Sequence, residues 1–344
     1  MEVRFKNAYH FLRGHENVRL DLLVLSTLHL TLIYVSSSTA ILLYDPDTGA
    51  KLHSFEGPTD VEWAAFHPKG GTVLLVGSAA DNTVWMFHIP SKKCLQVFVG
   101  HEASVTCGDF SPDGRWALSA SSDGSLRVWA PRKGICKHIF HFHNVGEDPA
   151  GLTCMATNGG SDGQLVVVGA EDGQAHICHI GTKKVVASVR HSELNSTTSS
   201  AMEDDEAEGA AISVEAVGFA PCNPNWFATG GVDGVLKIWD LANGAQCRQT
   251  CRASDINEGI TRLLWHSQLP LCFTASTSGV IRLWDARNGT LLSTLTGHID
   301  TINDLSICYA DEGSKALIAS VSDDKTIRLF ELDISAALKA AQVA

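Results

Sequence analysis

His101, Ser121 and Asp123 bring an imidazole, a hydroxyl and a carboxylate within 23 residues, the composition of a nucleophilic triad. Two histidine groups, His138/His141/His143 and His176/His179, carry side chains that can ligate a metal. Ten cysteines are present without a Cys-x-x-Cys pair, and Cys247 and Cys251 stand four apart. No phosphate-binding loop, dinucleotide fingerprint or His-Glu-x-x-His helix occurs. Each of these sets falls in short alternating runs bounded by Gly, Pro, Asp or Ser, so strand and turn positions account for them without chemistry. The expectation is a chain that is not an enzyme and uses neither cofactor nor metal. Cys107, Cys154 and Cys308 alternate on apolar strands. They read as buried free thiols in a reducing compartment, the alternatives being a metal site or a disulfide frame.

The strands that carry these residues define a repeat. Gly100-His101 opens a unit that continues through Val105, Cys107, Phe110-Ser111-Pro112-Asp113-Gly114, Trp116 to Ser121, the turn Ser122-Asp123-Gly124, and Leu126-Arg127-Val128-Trp129. The closing aromatic or its substitute recurs at Tyr44, Phe87, Trp129, Cys178, Trp239, Trp284 and Phe330, at intervals of 43, 42, 49, 61, 45 and 46 residues. Six residues earlier stands Asp81, Asp123, Asp172, Asp233 or Asp324, with Ser38 and Ser278 in the other two copies. A Gly-His opening and a closing Trp on a four-stranded unit of this length form the WD40 signature. The fold class is therefore all-β, a seven-bladed WD40 propeller over residues 1–334 followed by a tail at 335–344. The segment Val3 to Leu12 is expected to supply the outer strand of the last blade and so close the ring. Within blade three, His101, Ser121, Asp123 and Trp129 are expected to hydrogen-bond in series as a structural clamp. His298, Ser322 and Asp324 form its counterpart in blade seven, with Phe330 in place of the Trp. Blade five carries Gly231 where the clamp serine is expected, which leaves blade three with the one complete clamp.

Charge separates the possible partners. The net charge of −12 disfavours non-specific nucleic-acid binding and favours a basic partner. The 61-residue interval contains an insertion, Ser192 to Ala211, with six acids and no base. Its composition is expected to leave it disordered. It joins the outer strand of blade four to the inner strand of blade five, on the face that also carries the Asp turns. Asp60 and Glu62, Glu171, Glu215 and Asp323 take repeat positions that open on this same top face, as do Glu147, Asp148, Asp255, Glu258 and Asp300. The first five are the expected partner-binding residues, because several carboxylates around one opening focus their potential. Leu20 to Val35 is interrupted by Asp21 and His29 and is too short to cross a bilayer. No signal peptide is visible, so a cytoplasmic monomer without membrane contact is expected.

The second blade is more specific than the generic repeat. Asp60-x-Glu62-Trp63, His67-Pro68, Leu74-Leu75-x-Gly77, Ala80-Asp81 and Trp85-Met86 resemble the angio-associated migratory cell protein family. Thr106-Cys107-Gly108, Leu152-Thr153-Cys154, Val214-Glu215-x-x-Gly218-Phe219 and Val280 to Arg287 continue the likeness, which covers roughly residues 55–330. The resemblance implies a dedicated chaperone. The family's fungal counterpart holds the basic N-terminal segment of a large-subunit ribosomal protein of the L-ten (uL-sixteen) type on its acidic top. The alternative is a general interaction scaffold in signalling, the cytoskeleton or cell migration.

Overall fold

The computed structural model describes residues 20–25, 32–36, 40–44, 50–143, 148–159, 164–191, 211–253, 258–310 and 315–343. Twenty-seven strands in these residues form seven antiparallel sheets, each built from consecutive strands. Blade one contains β1 (Leu20–Leu25), β2 (Leu32–Ser36), β3 (Ala40–Tyr44) and β4 (Lys51–Phe55). Blade two contains β5 (Val61–Phe66), β6 (Val73–Ser78), β7 (Thr83–His88) and β8 (Lys93–Val99). Blade three contains β9 (Cys107–Phe110), β10 (Ala117–Ala120), β11 (Ser125–Ala130) and β12 (Ile135–His141). Blade four contains β13 (Leu152–Thr157), β14 (Leu165–Ala170), β15 (Gln174–His179) and β16 (Lys184–Arg190). Blade five contains β17 (Val214–Phe219), β18 (Trp226–Gly231), β19 (Val235–Asp240) and β20 (Gln246–Arg252). Blade six contains β21 (Ile260–Trp265), β22 (Leu271–Ser276), β23 (Ile281–Asp285) and β24 (Thr290–Leu295). Blade seven shows β25 (Ile302–Ala310), β26 (Lys315–Ser322) and β27 (Ile327–Asp333).

Each inner strand lies beside the next, from β1 and β5 through to β21 and β25, and β25 lies beside β1. The seven sheets thus stand around a common axis. Blade seven is three-stranded among the described residues. The expected sealing strand, Val3 to Leu12, lies outside them, as does most of the acidic insertion.

Burial follows the layering. The second strand of a blade is covered on both faces by neighbouring blades, so it reads as a nearly unbroken apolar run: Val73–Ser78, Leu165–Ala170 and Leu271–Ser276 are buried almost throughout. The outer strands are mostly exposed and bury one residue near their ends, Phe98, Phe140, Val189 or Cys251. In blades one to six the pairing of third and fourth strands slips by one residue at the closing aromatic or its substitute, as at Val128/Trp129 and Leu283/Trp284. Such a bulge bends the outer strand and increases local twist.

Trp63 explains much of the blade-two motif. Its indole N–H donates to the Val105 carbonyl at 3.1 Å, across the seam to blade three. A methyl group at Gly77 or Gly108 would overlap the indole ring. The motif residues Trp63, Gly77 and Gly108 are therefore one packing unit spread over two blades.

The Ala-rich C-terminal stretch is a helix, α1 (Ile334–Val343), where the sequence suggested only a tail. The Asp333 carboxylate accepts the Ala336 N–H at 2.8 Å and caps it. Ile334 is fully buried, and Ala337 and Leu338 pack on the apolar core between blades six and seven.

Candidate functional site

The inner strands of six blades share a second irregularity. Pairing with the neighbouring strand skips one residue between Val61 and Trp63, Leu152 and Cys154, Val214 and Ala216, Ile260 and Arg262, and Ile302 and Asp304. The skipped residues, Glu62, Thr153, Glu215, Thr261 and Asn303, all line one opening of about 660 Å³ at the top of the ring. Thr106 lines it from blade three. The same slip in blade one falls between Leu20 and Leu22, which places Asp21 at the corresponding register position.

Asp60, Glu62, Glu171, Glu215 and Asp323 come together here, from four blades, around this single opening. Asp60, Glu62, Glu171 and Asp323 are exposed, and Glu215 is half-buried. Asp60 has a left-handed backbone, φ 55°, and its carbonyl accepts the Ala79 N–H at 2.8 Å. Gly151 leaves room for the Glu171 carboxylate, which a side chain at 151 would crowd. Ser213 Oγ donates to Glu215 Oε1 at 2.6 Å, and Asn303 Nδ2 donates to Asp323 Oδ1 at 2.8 Å. Three threonines have a different task. Thr106 Oγ1 donates to the Leu152 carbonyl and Thr261 Oγ1 to the Ile302 carbonyl, each at 2.6 Å, and Thr153 Oγ1 donates to the Val214 carbonyl. They stitch each inner strand to the next, and at that position Glu62 and Glu215 present carboxylates instead.

The opening also holds a cation that the sequence reading missed. Arg262 lines it, with Nε donating to the Asn303 carbonyl at 3.0 Å and standing 3.4 Å from Asp304 Oδ1. Burial raises the Asp304 carboxyl, opposed by Arg262 and the Leu305 N–H. Burial likewise pushes the Asp109 carboxyl, on β9, up to about 7. Asp109 Oδ1 accepts the Phe110 N–H at 2.6 Å.

The blade-three clamp uses a different serine from the one expected. Trp129 Nε1 donates to Ser119 Oγ at 2.8 Å, Ser119 Oγ meets His101 Nε2 at 2.8 Å, and His101 Nδ1 meets Asp123 Oδ2 at 2.8 Å. The carboxylate can only accept, so the imidazole carries a proton on Nδ1. Ser121 Oγ instead donates to the Ala103 carbonyl and accepts the Asp123 N–H, tying down the turn. Burial alone would raise the Asp123 carboxyl; bonds from His101, Ser125 and the Glu102 N–H outweigh it and hold the group well below the usual range.

Blade seven repeats the geometry. His298 bridges Ser320 Oγ and Asp324 Oδ2 at 2.7 Å each, while Ser322 Oγ donates to the Asp300 carbonyl. Here too burial opposes, and bonds from Thr326 and His298 bring Asp324 down to about 2. Blade five carries a relay that the sequence reading did not find. Trp239 Nε1 donates to Thr229 Oγ1 at 2.9 Å, His191 Nδ1 meets the same oxygen at 2.7 Å, and His191 Nε2 stands 3.5 Å from Asp233 Oδ1. His191 Nε2 makes no hydrogen bond, so the last link of this relay is open, and the full series of four hydrogen-bonded groups is found in blade three.

The other candidate chemistry resolves into packing. His176 is stacked on Phe142 with Nδ1 2.8 Å from Ser188 Oγ, and His138 packs edge-on against Phe140. No group of three or more His, Cys, Asp or Glu among the described residues is arranged to hold a metal ion. The ten cysteines are free thiols. Burial raises Cys107 and Cys251 to about 12. Of the three thiols expected to be buried, Cys154 is, whereas Cys107 and Cys308 are half-buried; Cys94, Cys222 and Cys247 are exposed on outer strands or loops. No helix among the described residues is long and apolar enough to cross a membrane.

Seven antiparallel sheets in a ring, six of them four-stranded among the described residues, with hydroxyl–imidazole–carboxylate groupings inside three blades, define a β-propeller that works as an interaction scaffold. The model for the WD domain, G-beta repeat, matches residues 92–130, and that for the Nucleolar protein 10-like N-terminal domain, a β-propeller, matches 138–330. The chain belongs to the WD40 β-propeller family. It is 35% identical to the angio-associated migratory cell proteins of Homo sapiens and Pongo abelii over 301 residues, 87% of this chain and 65% of theirs. It is 27% identical over 253 residues to an uncharacterized WD repeat-containing protein of Schizosaccharomyces pombe, covering 71% of this chain and 56% of that protein. The chain thus spans about two thirds of the length of its mammalian relatives.

Proposed function

We propose that the chain is a non-catalytic cytoplasmic escort that holds a Lys/Arg-rich segment of a client protein over its acidic top. The observation that carries this reading is the convergence of Asp60, Glu62, Glu171, Glu215 and Asp323 on one opening. The cation lining it, Arg262, is engaged by Asp304 and the Asn303 carbonyl. Low-dielectric walls around clustered carboxylates raise the local concentration of cationic groups and speed their capture. The client that the family resemblance suggests is a large-subunit ribosomal protein of the L-ten type, bound by its basic N-terminal segment. Neutralising that segment would keep it from RNA and from aggregation until handover. The escort itself would work as a monomer, without cofactor, direct nucleic-acid contact or membrane attachment. A second reading, a scaffold in cell migration, is favoured by the name that the mammalian relatives carry.

Calorimetry with a basic client peptide tests the proposal. Glu62→Lys and Glu215→Lys should each weaken binding tenfold or more, about 1.4 kcal/mol per decade, with binding steeply dependent on salt. Deleting residues 192–211 should slow association more than it speeds dissociation. Wild-type affinity in both reversals refutes the top-face site and turns the case to the scaffold.

A further inference from the structure

The opposite end of the ring carries a second recess, of the opposite charge. It lies between blades two and three and measures about 770 Å³. Val73, Met86, Leu95, Phe110 and Trp116 form its walls, and Arg115, Arg132, Lys133 and Lys137 form its rim. Phe110 ends the inner strand β9, Val73, Met86 and Leu95 come from β6, β7 and β8, Lys137 from β12, and the rest mostly from the turns 111–116 and 131–134, whereas the acidic opening lies at the beginnings of inner strands.

The one carboxylate in the recess, Asp113, is committed to its own turn. It accepts from Ser111 Oγ at 2.6 Å and from the Arg115 N–H at 2.9 Å. Burial opposes its ionisation, and these bonds with the nearby Arg115 and Lys69 charges bring its carboxyl below the usual range. Arg132, Lys133 and Lys137 are exposed and make no ion pair among the described residues. Leu95 is 49% exposed, a large apolar side chain standing at the mouth of the recess. The Trp116 indole N–H has no acceptor among the described residues. In a chain of net charge −12, a recess with apolar walls and uncompensated cations is a local departure from the rest of the surface.

We propose that this recess docks an acidic peptide segment through one bulky apolar side chain flanked by carboxylates. The volume suits one or two large side chains, the aliphatic and aromatic walls reward their burial, and the rim complements acidic neighbours. A nucleic-acid strand fits less well: it offers phosphates to the rim and no aliphatic group to the walls, and it must approach a strongly acidic molecule. The site is independent of the top opening, so one propeller would hold partners of opposite charge at its two ends.

The test uses the full chain and fluorescence anisotropy with three probes: a labelled peptide in which Glu alternates with Leu and Phe, its analogue with Ser at the apolar positions, and a labelled single-stranded oligodeoxynucleotide. The Leu/Phe peptide should bind. The Ser analogue and the K133E/K137E variant should each weaken binding at least tenfold, and a basic peptide should not compete. Leu95→Glu is a second variant at an exposed position, with the same expected loss. Equal binding of the two peptides, unchanged binding in both variants, competition by the basic peptide, or tighter binding of the oligonucleotide would each overturn the proposal.

Discussion

Replacing Ser119 by Ala should destabilise the protein more than replacing Ser121 by Ala, although both side chains are fully buried. Ser119 Oγ is the shared atom of the blade-three relay, 2.8 Å from both Trp129 Nε1 and His101 Nε2. Its removal strands an indole N–H on a residue 2% exposed and an imidazole nitrogen on a residue 8% exposed. An unsatisfied buried polar group costs about 1–3 kcal/mol, so the variant should lose about 2–4 kcal/mol. Ser121→Ala gives up one bond to the Ala103 carbonyl and one from the Asp123 N–H, both to half-buried backbone groups that water can reach. Its loss should be about 1 kcal/mol. Urea titrations followed by tryptophan fluorescence and circular dichroism measure both. In a cycle with Asp123→Asn, the Ser119 variant should be non-additive by at least 0.5 kcal/mol, because the imidazole couples the two groups. A larger loss for Ser121→Ala, or strict additivity in the cycle, would refute the relay as drawn.

Three further outcomes are expected. Asp109 is held up to about 7 when folded, against an ordinary value of 3.8. Between these values the folded state keeps a proton that the unfolded state has released. Stability from this group is therefore full below pH 3.8 and is lost as pH rises toward 7; Asp109→Asn should remove that decline in denaturant midpoints measured between pH 4 and 8. Gly108→Ala drives a methyl into the Trp63 indole and should cost several kcal/mol by calorimetric melting. Combination with Trp63→Leu should recover part of that loss, and no recovery would show that the indole is not the obstacle. Ellman's reagent should titrate Cys94, Cys222 and Cys247 in the native protein, and Cys154, Cys178 and Cys272 only after unfolding.

Spacing carried most of the fold. Seven closing positions and their turn acids predicted the blades, because a propeller repeats one hydrophobic unit at near-constant length. Alignment of blades also brought Glu62 and Glu215 to the same place, and both stand at the inner-strand slip that lines the top opening. What escaped was depth along a strand. Ser119 and Ser121 alternate onto one face, and only the strand's end at Ala120 tells the relay hydroxyl from the turn hydroxyl. A position ten before the closing aromatic holds it in blades three, five, six and seven, as Ser119, Thr229, Thr274 and Ser320, and would have been the better signal. His191 was masked by the acidic stretch that follows it. Arg262 went unnoticed because Trp63 and Ala216 take its place in other blades. The Ala-rich end read as a tail because α1 owes its position to packing on two blades, which no local pattern reveals.

The ring's last seam sets the order in which the protein can assemble. Six inner-strand seams join neighbouring blades, but the seam between β1 and β25 joins residues 20–25 to residues 302–310. During synthesis the first six seams can form as their second blade emerges; this one must wait for nearly the whole chain. Until then blade one presents an uncovered face at the free end of a growing stack, a surface that invites a neighbouring nascent chain. Clearing that surface depends on the final blade, so a stalled or shortened chain would be an aggregation hazard out of proportion to the residues it lacks.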